Sequence, residues 1–195
     1  MKKILFFLFL QISFTYSYSQ IIEKKSNFYA HKIDSIEKEL KSSGINDFLF
    51  FIEGCNGCET TYTEEKCGCS TENIFDVFVI YNFHQETTVI KISCCVNFQK
   101  KLLLDSLIYK SCSLSTKAKS LSKKKKGKFY PPIALHQPYY QVKLFSKKTV
   151  FDFVIHKNQM NTKSQEYLAW IKIPGFKEKL HTINLIQSFL QTNVQ

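Results

Sequence analysis

Apolar residues in the stretch 26–40 recur at three- and four-residue steps: Phe28 or Tyr29, Ile33, Ile36 and Leu40, with Lys32, Asp34, Lys38 and Glu39 between them. One apolar stripe on a charged cylinder predicts an amphipathic helix. Ser26 offers a cap at its start, and Gly44, after Ser42 and Ser43, offers a stop. The next apolar run, 47–53 (DFLFFIE), is too short and too uniformly apolar for a surface helix, so it predicts a buried strand.

Two further runs, 74–83 and 87–96, predict a β-hairpin joined by His84, Gln85 and Glu86. In the second run Thr88, Ile90, Ile92, Cys94 and Val96 share one face, and Val89, Lys91, Ser93 and Cys95 share the other. Residues 98–109 fit either a strand pair or a short helix, and periodicity does not decide between them. Residues 139–145 and 150–156 predict a second hairpin turning at 146–148, and 167–173 a weaker strand stopped by Pro174 and Gly175. Leu180, Ile183, Ile186 or Gln187, and Leu190 mark a C-terminal helix.

Strands that adjoin one another without intervening helices argue for an α+β domain. The expected fold is mainly an antiparallel sheet with an N-terminal and a C-terminal helix. A doubly wound parallel fold needs alternating helices that the pattern does not supply.

Two segments fall outside this regular pattern. Residues 54–73 carry Gly54, Gly57 and Gly68 and read as a cysteine-rich loop. Their charges are Glu59, Glu64, Glu65 and Glu72 against Lys66 alone, so the loop is acidic. Residues 110–128 are almost all Ser and Lys, with Lys123, Lys124, Lys125 and Lys126 consecutive and Lys128 beyond, and read as a mobile loop.

The N-terminus gives the compartment. Met1-Lys2-Lys3 is a short positive region, residues 4–10 are apolar, and Ser17-Tyr18-Ser19 places small residues at both positions of a cleavage site. That three-part layout is a secretory signal peptide over 1–19, leaving 20–195 as a single domain, secreted or periplasmic. The apolar run is too short to cross about 30 Å of hydrocarbon.

Basicity adds less than it first suggests. Lys+Arg number 27 against 16 Asp+Glu, a net charge of +11, and every one of these basic residues is a lysine. Arginine supplies the planar fork that reads phosphates and guanine edges, whereas lysine is a point charge, so the composition argues against nucleic acid. The lysine run has a solvated loop as its plain explanation. Its functional alternative is peripheral contact with an anionic membrane, about 1 kcal/mol per lysine near the surface, with Phe129, Tyr130, Tyr139 and Tyr140 inserting nearby.

The densest chemistry is Cys55, Cys58, Cys67 and Cys69, four cysteines inside fifteen residues. In an oxidising compartment such thiols pair and persist, so the first expectation is disulfides that staple the loop. Bonds within Cys55/Cys58 or Cys67/Cys69 close strained short rings, which favours crosswise pairing. The second expectation is zinc as a cofactor held by the four thiolates. The third is thiol-redox chemistry at Cys55 and Cys58. That chemistry wants a helix immediately after the pair, and Glu59-Thr60-Thr61-Tyr62-Thr63 is a poor helix. Cys94, Cys95 and Cys112 bring the total to seven, an odd number, so complete pairing within one chain leaves at least one thiol over.

No nucleophile elbow, phosphate loop or His-Glu-x-x-His stands in the chain, and His31, His84, His136, His156 and His181 are scattered. Paired carboxylates for acid–base work would come from Glu53, Glu59, Glu64, Glu65 and Glu72, which a solvated acidic loop explains better. The sequence therefore leans toward an exported, non-enzymatic binding or interaction domain whose partner is an unknown protein or envelope component.

Overall fold

The computed structural model describes residues 28–55, 74–93, 97–123, 137–146 and 149–194. Helix α1 (Phe28–Ser42) is followed by strands β1 (Phe48–Cys55), β2 (Ile74–Phe83), β3 (Glu86–Ser93) and β4 (Asn97–Leu103). Helix α2 (Leu107–Lys123) precedes β5 (Pro138–Ser146) and β6 (Thr149–His156). Two short helices, α3 (Lys157–Met160) and α4 (Gln165–Trp170), lead into the long α5 (Phe176–Asn193). The strands form one antiparallel sheet in the order β4-β3-β2-β1-β5-β6, an α+β fold as the sequence pattern implies.

β1 lies inside the sheet, and both of its faces are covered. Phe48, Phe50 and Ile52 point to one face, where they meet Tyr29, Ile33, Ile36 and Leu40 of α1. Leu49 and Phe51 point to the other, where they meet Leu107 and Ile108 of α2 and Ile183, Ile186 and Leu190 of α5. Phe48, Leu49, Phe50 and Phe51 are all fully buried, which is why the run shows no alternation. The stripe residues expected for the first and last helices are the ones that pack here.

α1 ends as Gly44 allows. Gly44 adopts φ +78°, its N–H donates to the Lys41 carbonyl at 3.1 Å, and Ile45 N–H donates to the Leu40 carbonyl at 2.9 Å. This paired closure is a Schellman motif, and the left-handed position suits glycine.

Three sequence expectations are corrected. The Ser/Lys-rich stretch 110–128 is not a loop along its first part: residues 107–123 form α2. Ser111, Ser115 and Ala118 are buried on its inner side, so small residues at helical spacing make a packing face that composition alone reads as polar. The helix starts where Leu107 N–H donates to the Asp105 carboxylate at 2.6 Å, and Asp105 N–H donates to Thr87 Oγ1 at 2.8 Å. The ambiguous 98–109 stretch resolves into both alternatives, β4 and then the first turn of α2.

The weak strand expected at 167–173 is instead the end of helix α4 up to Trp170, followed by a turn; α4 is capped by Ser164, whose hydroxyl accepts from Tyr167 N–H at 3.0 Å. The cysteine-rich loop is shorter than expected at its start, because Gly54 and Cys55 belong to β1. Among the described residues no helix is long and apolar enough to cross a membrane.

Candidate functional site

The sheet has two chemically distinct ends. Cys55 closes β1 at one of them, opposite Pro138 on β5 and fully buried. The pairing with β2 shifts between Glu53 and Gly54, because Glu53 faces Asp76 and Gly54 faces Ile74. A bulge of this kind adds local twist where the chain leaves the sheet. The register also brings Ser93, the last residue of β3, opposite Asp76, and Gln137 immediately precedes Pro138. The described residues that flank 56–73, 94–96 and 124–136 on the strand side therefore gather at this one end.

Cys55 does not titrate, since its sulfur is disulfide-bonded. The other half of that bond lies outside the described residues, because Cys112, the other described cysteine, is free. Cys58, Cys67 and Cys69 also lie outside the described residues, as do Cys94 and Cys95. Lys123 closes α2, while Lys124, Lys125, Lys126 and Lys128 lie outside the described residues, with Phe129 and Tyr130. Tyr139 and Tyr140, expected beside the lysine run, are half-buried β5 residues; Tyr140 stacks on Phe51 at 5.7 Å and is held in the sheet.

Beside Cys55 sits a charged cluster that composition does not suggest. Glu53 faces Asp76 on β2 and Tyr140 on β5, all directed to the α2–α5 side of the sheet. Lys91 Nζ lies 2.9 Å from the Asp76 carboxylate and 5.4 Å from the Phe78 ring centroid. Burial raises the Glu53 carboxyl above its ordinary range, Asp76 raises it further, and Lys91 opposes them. Tyr140 is raised by burial and by Glu53, against a hydrogen bond with Gln187. The arrangement retains a proton more readily than exposed carboxylates do. Sequence reasoning put Glu53 at the end of a buried strand but grouped its carboxylate with those of the acidic loop; it gave Lys91 only a strand face, Tyr140 only a membrane contact and Asp76 no role. The signal available was cross-strand register, which puts Glu53 against Asp76 once β1 and β2 are paired.

At the same end His156 is almost fully buried, and burial lowers its pKa against the pull of Glu166. Gln137 Nε2 reaches Glu166 Oε1 at 3.5 Å. His156 N–H donates to Gln159 Oε1 at 2.8 Å, so this histidine is built into the start of α3. Among the described residues no group of three or more His, Cys, Asp or Glu is placed to hold a metal ion.

The opposite end carries a cavity of about 580 Å³ lined by Asp47, Phe83, His84, Tyr109, Cys112 and Ser146, among others. His84 occupies the hairpin turn with φ +53° and is exposed. Cys112 is half-buried, and burial pushes its thiol above the ordinary range, opposed by a hydrogen bond with Ser146 and reinforced by Asp47. A thiol so placed stays protonated at neutral pH and is a poor nucleophile. β1 separates this end from Cys55 by seven residues, about 23 Å at the rise of a strand. Disulfides need Cα atoms within about 7 Å, so Cys112 is out of reach of the other end.

The chain matches no protein-family model and no curated protein.

Proposed function

We propose that the chain is an exported, non-enzymatic α+β binding module. Its cysteine-bearing segments are stapled by disulfides onto one end of a rigid sheet, and that end meets an unknown protein or envelope component. The observation that carries this reading is Cys55: a sulfur fully buried at the end of a central strand and already disulfide-bonded. A sulfur in that state is neither a thiolate ligand for zinc nor an exposed redox nucleophile, which ranks the staple ahead of both.

The location of Cys112 sharpens the proposal. With Cys112 free and far away, Cys55, Cys58, Cys67, Cys69, Cys94 and Cys95 remain, an even number flanked by residues at one end of the sheet. Complete pairing of these six leaves the odd thiol, Cys112, half-buried at the opposite end.

Native mass spectrometry of protein purified from its exporting host tests the reading. The expected mass corresponds to a chain beginning after Ser19 and is unchanged by a chelator. A zinc-sized mass lost on chelation, with the signal segment retained, would reverse both the staple and the export parts of the proposal.

A further inference from the structure

Three segments meet around the cavity of about 580 Å³ at the end remote from Cys55. The α1–β1 connection supplies Asn46 and Asp47, the β2–β3 turn supplies Phe83 and His84, and the start of α2 supplies Tyr109 and Cys112. The volume falls within the range of about 300–1,000 Å³ usual for small-molecule sites. Two aromatic rings are left bare there, Tyr109 at 78 % exposure and Phe83 at 45 %. His84 adopts φ +53° in the two-residue turn between the paired Phe83 and Glu86. Glycine or asparagine is the default at a left-handed position in such a turn. An imidazole therefore stands at this rim despite backbone strain, as strained side chains at binding sites do.

The charges and polar groups of the lining narrow the occupant. Among the described residues no lysine lines the cavity, although the chain carries 27 basic residues, so nothing there neutralises a carboxylate or phosphate. Asp47 is the carboxylate of the described lining, and it already has an interaction partner in the fold, so it is not reserved for a cation. Cys112 and Ser146 bond each other. Both ends of the Asn82 amide are used: Nδ2 donates to the Asp105 carbonyl at 3.1 Å, and Oδ1 accepts from Thr87 Oγ1 at 2.8 Å. Asn46 Nδ2 donates to the Gly44 carbonyl at 3.2 Å, which leaves its side-chain carbonyl to accept. That carbonyl, the His84 imidazole and the Tyr109 hydroxyl remain for a ligand, and all three residues are exposed.

We propose that this cavity binds a neutral saccharide, with a pyranose C–H face on the bare rings of Tyr109 and Phe83 and its hydroxyls exchanging hydrogen bonds with Asn46 and His84. A sugar presents an apolar face and a rim of groups that both donate and accept, which matches bare rings beside an amide and an imidazole. A flat heteroaromatic gains most between parallel walls, and the Phe83 and His84 rings, 4.0 Å apart, are tilted by 56°. The site lies about 23 Å from Cys55 along β1, so the assignment stands whichever way the cysteines pair.

Titration of the purified protein with maltose, cellobiose, lactose and N,N′-diacetylchitobiose, each to about 20 mM and followed by amide chemical shifts, tests the assignment. Tetramethylammonium and benzoate serve as charged controls. Saturable shifts confined to 45–47, 83–84 and 108–109 are expected with at least one disaccharide and with neither control. Tyr109→Ala is expected to weaken that binding by roughly five- to tenfold. His84→Gly is expected to weaken it severalfold without lowering Tm, since glycine suits the left-handed turn position. No saturable response to any of the four sugars, tighter binding of either charged control, or sugar binding indifferent to both variants would overturn the proposal.

Discussion

Glu53 is placed where burial and a second carboxylate act in the same direction. Its carboxyl titrates above the ordinary value of 4.5, chiefly through burial and then through Asp76. Above 4.5 the unfolded chain has released this proton while the folded chain still holds it. Stability therefore falls as pH climbs from that value through the raised one. Glu53→Gln removes the penalty, so the variant should gain stability over the parent at pH 7 and lose that advantage at pH 4. Urea unfolding at the two pH values measures this, and a variant less stable at pH 7 contradicts it. Ser111 offers a second test at this scale, being fully buried on α2 with no partner for its hydroxyl. Ser111→Ala removes an unsatisfied group worth about 1–3 kcal/mol when buried, and alanine is the better helix former. A rise in Tm is expected, and a clear fall would mean that the hydroxyl is bonded. Neither residue was conspicuous in the sequence. Glu53 reads only as the last residue of a strand until the register sets it against Asp76, and Ser111 reads as loop filler until α2 is known to pack.

Secondary-structure elements were legible where burial imposes a period and illegible where it does not. The stripes of α1 and α5, the two hairpins and the two-sided apolar run of β1 all have one or two apolar faces, and all are found. α2 and α4 were misread for separate reasons. Beyond Leu107 and Ile108 in its first turn, α2 packs through serine and alanine, so the rest of its buried face carries almost no hydrophobic signal. In α4, a short apolar run suits strand and helix equally, and the Ser164 cap decides. The packing of α2 against α5 makes a prediction of its own. At Gly175, φ +85°, an added Cβ would stand 2.5 Å from the Ala118 carbonyl oxygen; at Gly44, φ +78°, it would meet nothing within 4 Å. Gly44→Ala should cost only the left-handed conformation, about 1–2 kcal/mol. Gly175→Ala adds a backbone clash and should cost on the order of 3 kcal/mol or more. Thermal unfolding of the two variants side by side checks the order, and equal losses would deny the close approach of the two helices.

At the scale of the whole molecule, the sheet works as a spacer between two environments. One end gathers the strand residues that flank the cysteine-bearing segments, and the other holds Cys112 in a cavity about 23 Å away along β1. The sequence showed the cysteine cluster but not this separation, since only strand order and register place Ser93, Cys55 and Gln137 together. The proposed staple would tie eighteen residues, 56–73, back to the sheet; a disulfide closing a loop of about 15 residues contributes about 3 kcal/mol in the chain-entropy picture. Counting thiols tests this most directly: alkylation of the denatured protein without reductant, then again after reduction, read by intact mass. One adduct before reduction, mapping to Cys112, and seven after it are expected. Three or more adducts before reduction, with Cys55 among them, would contradict the stapled sheet end.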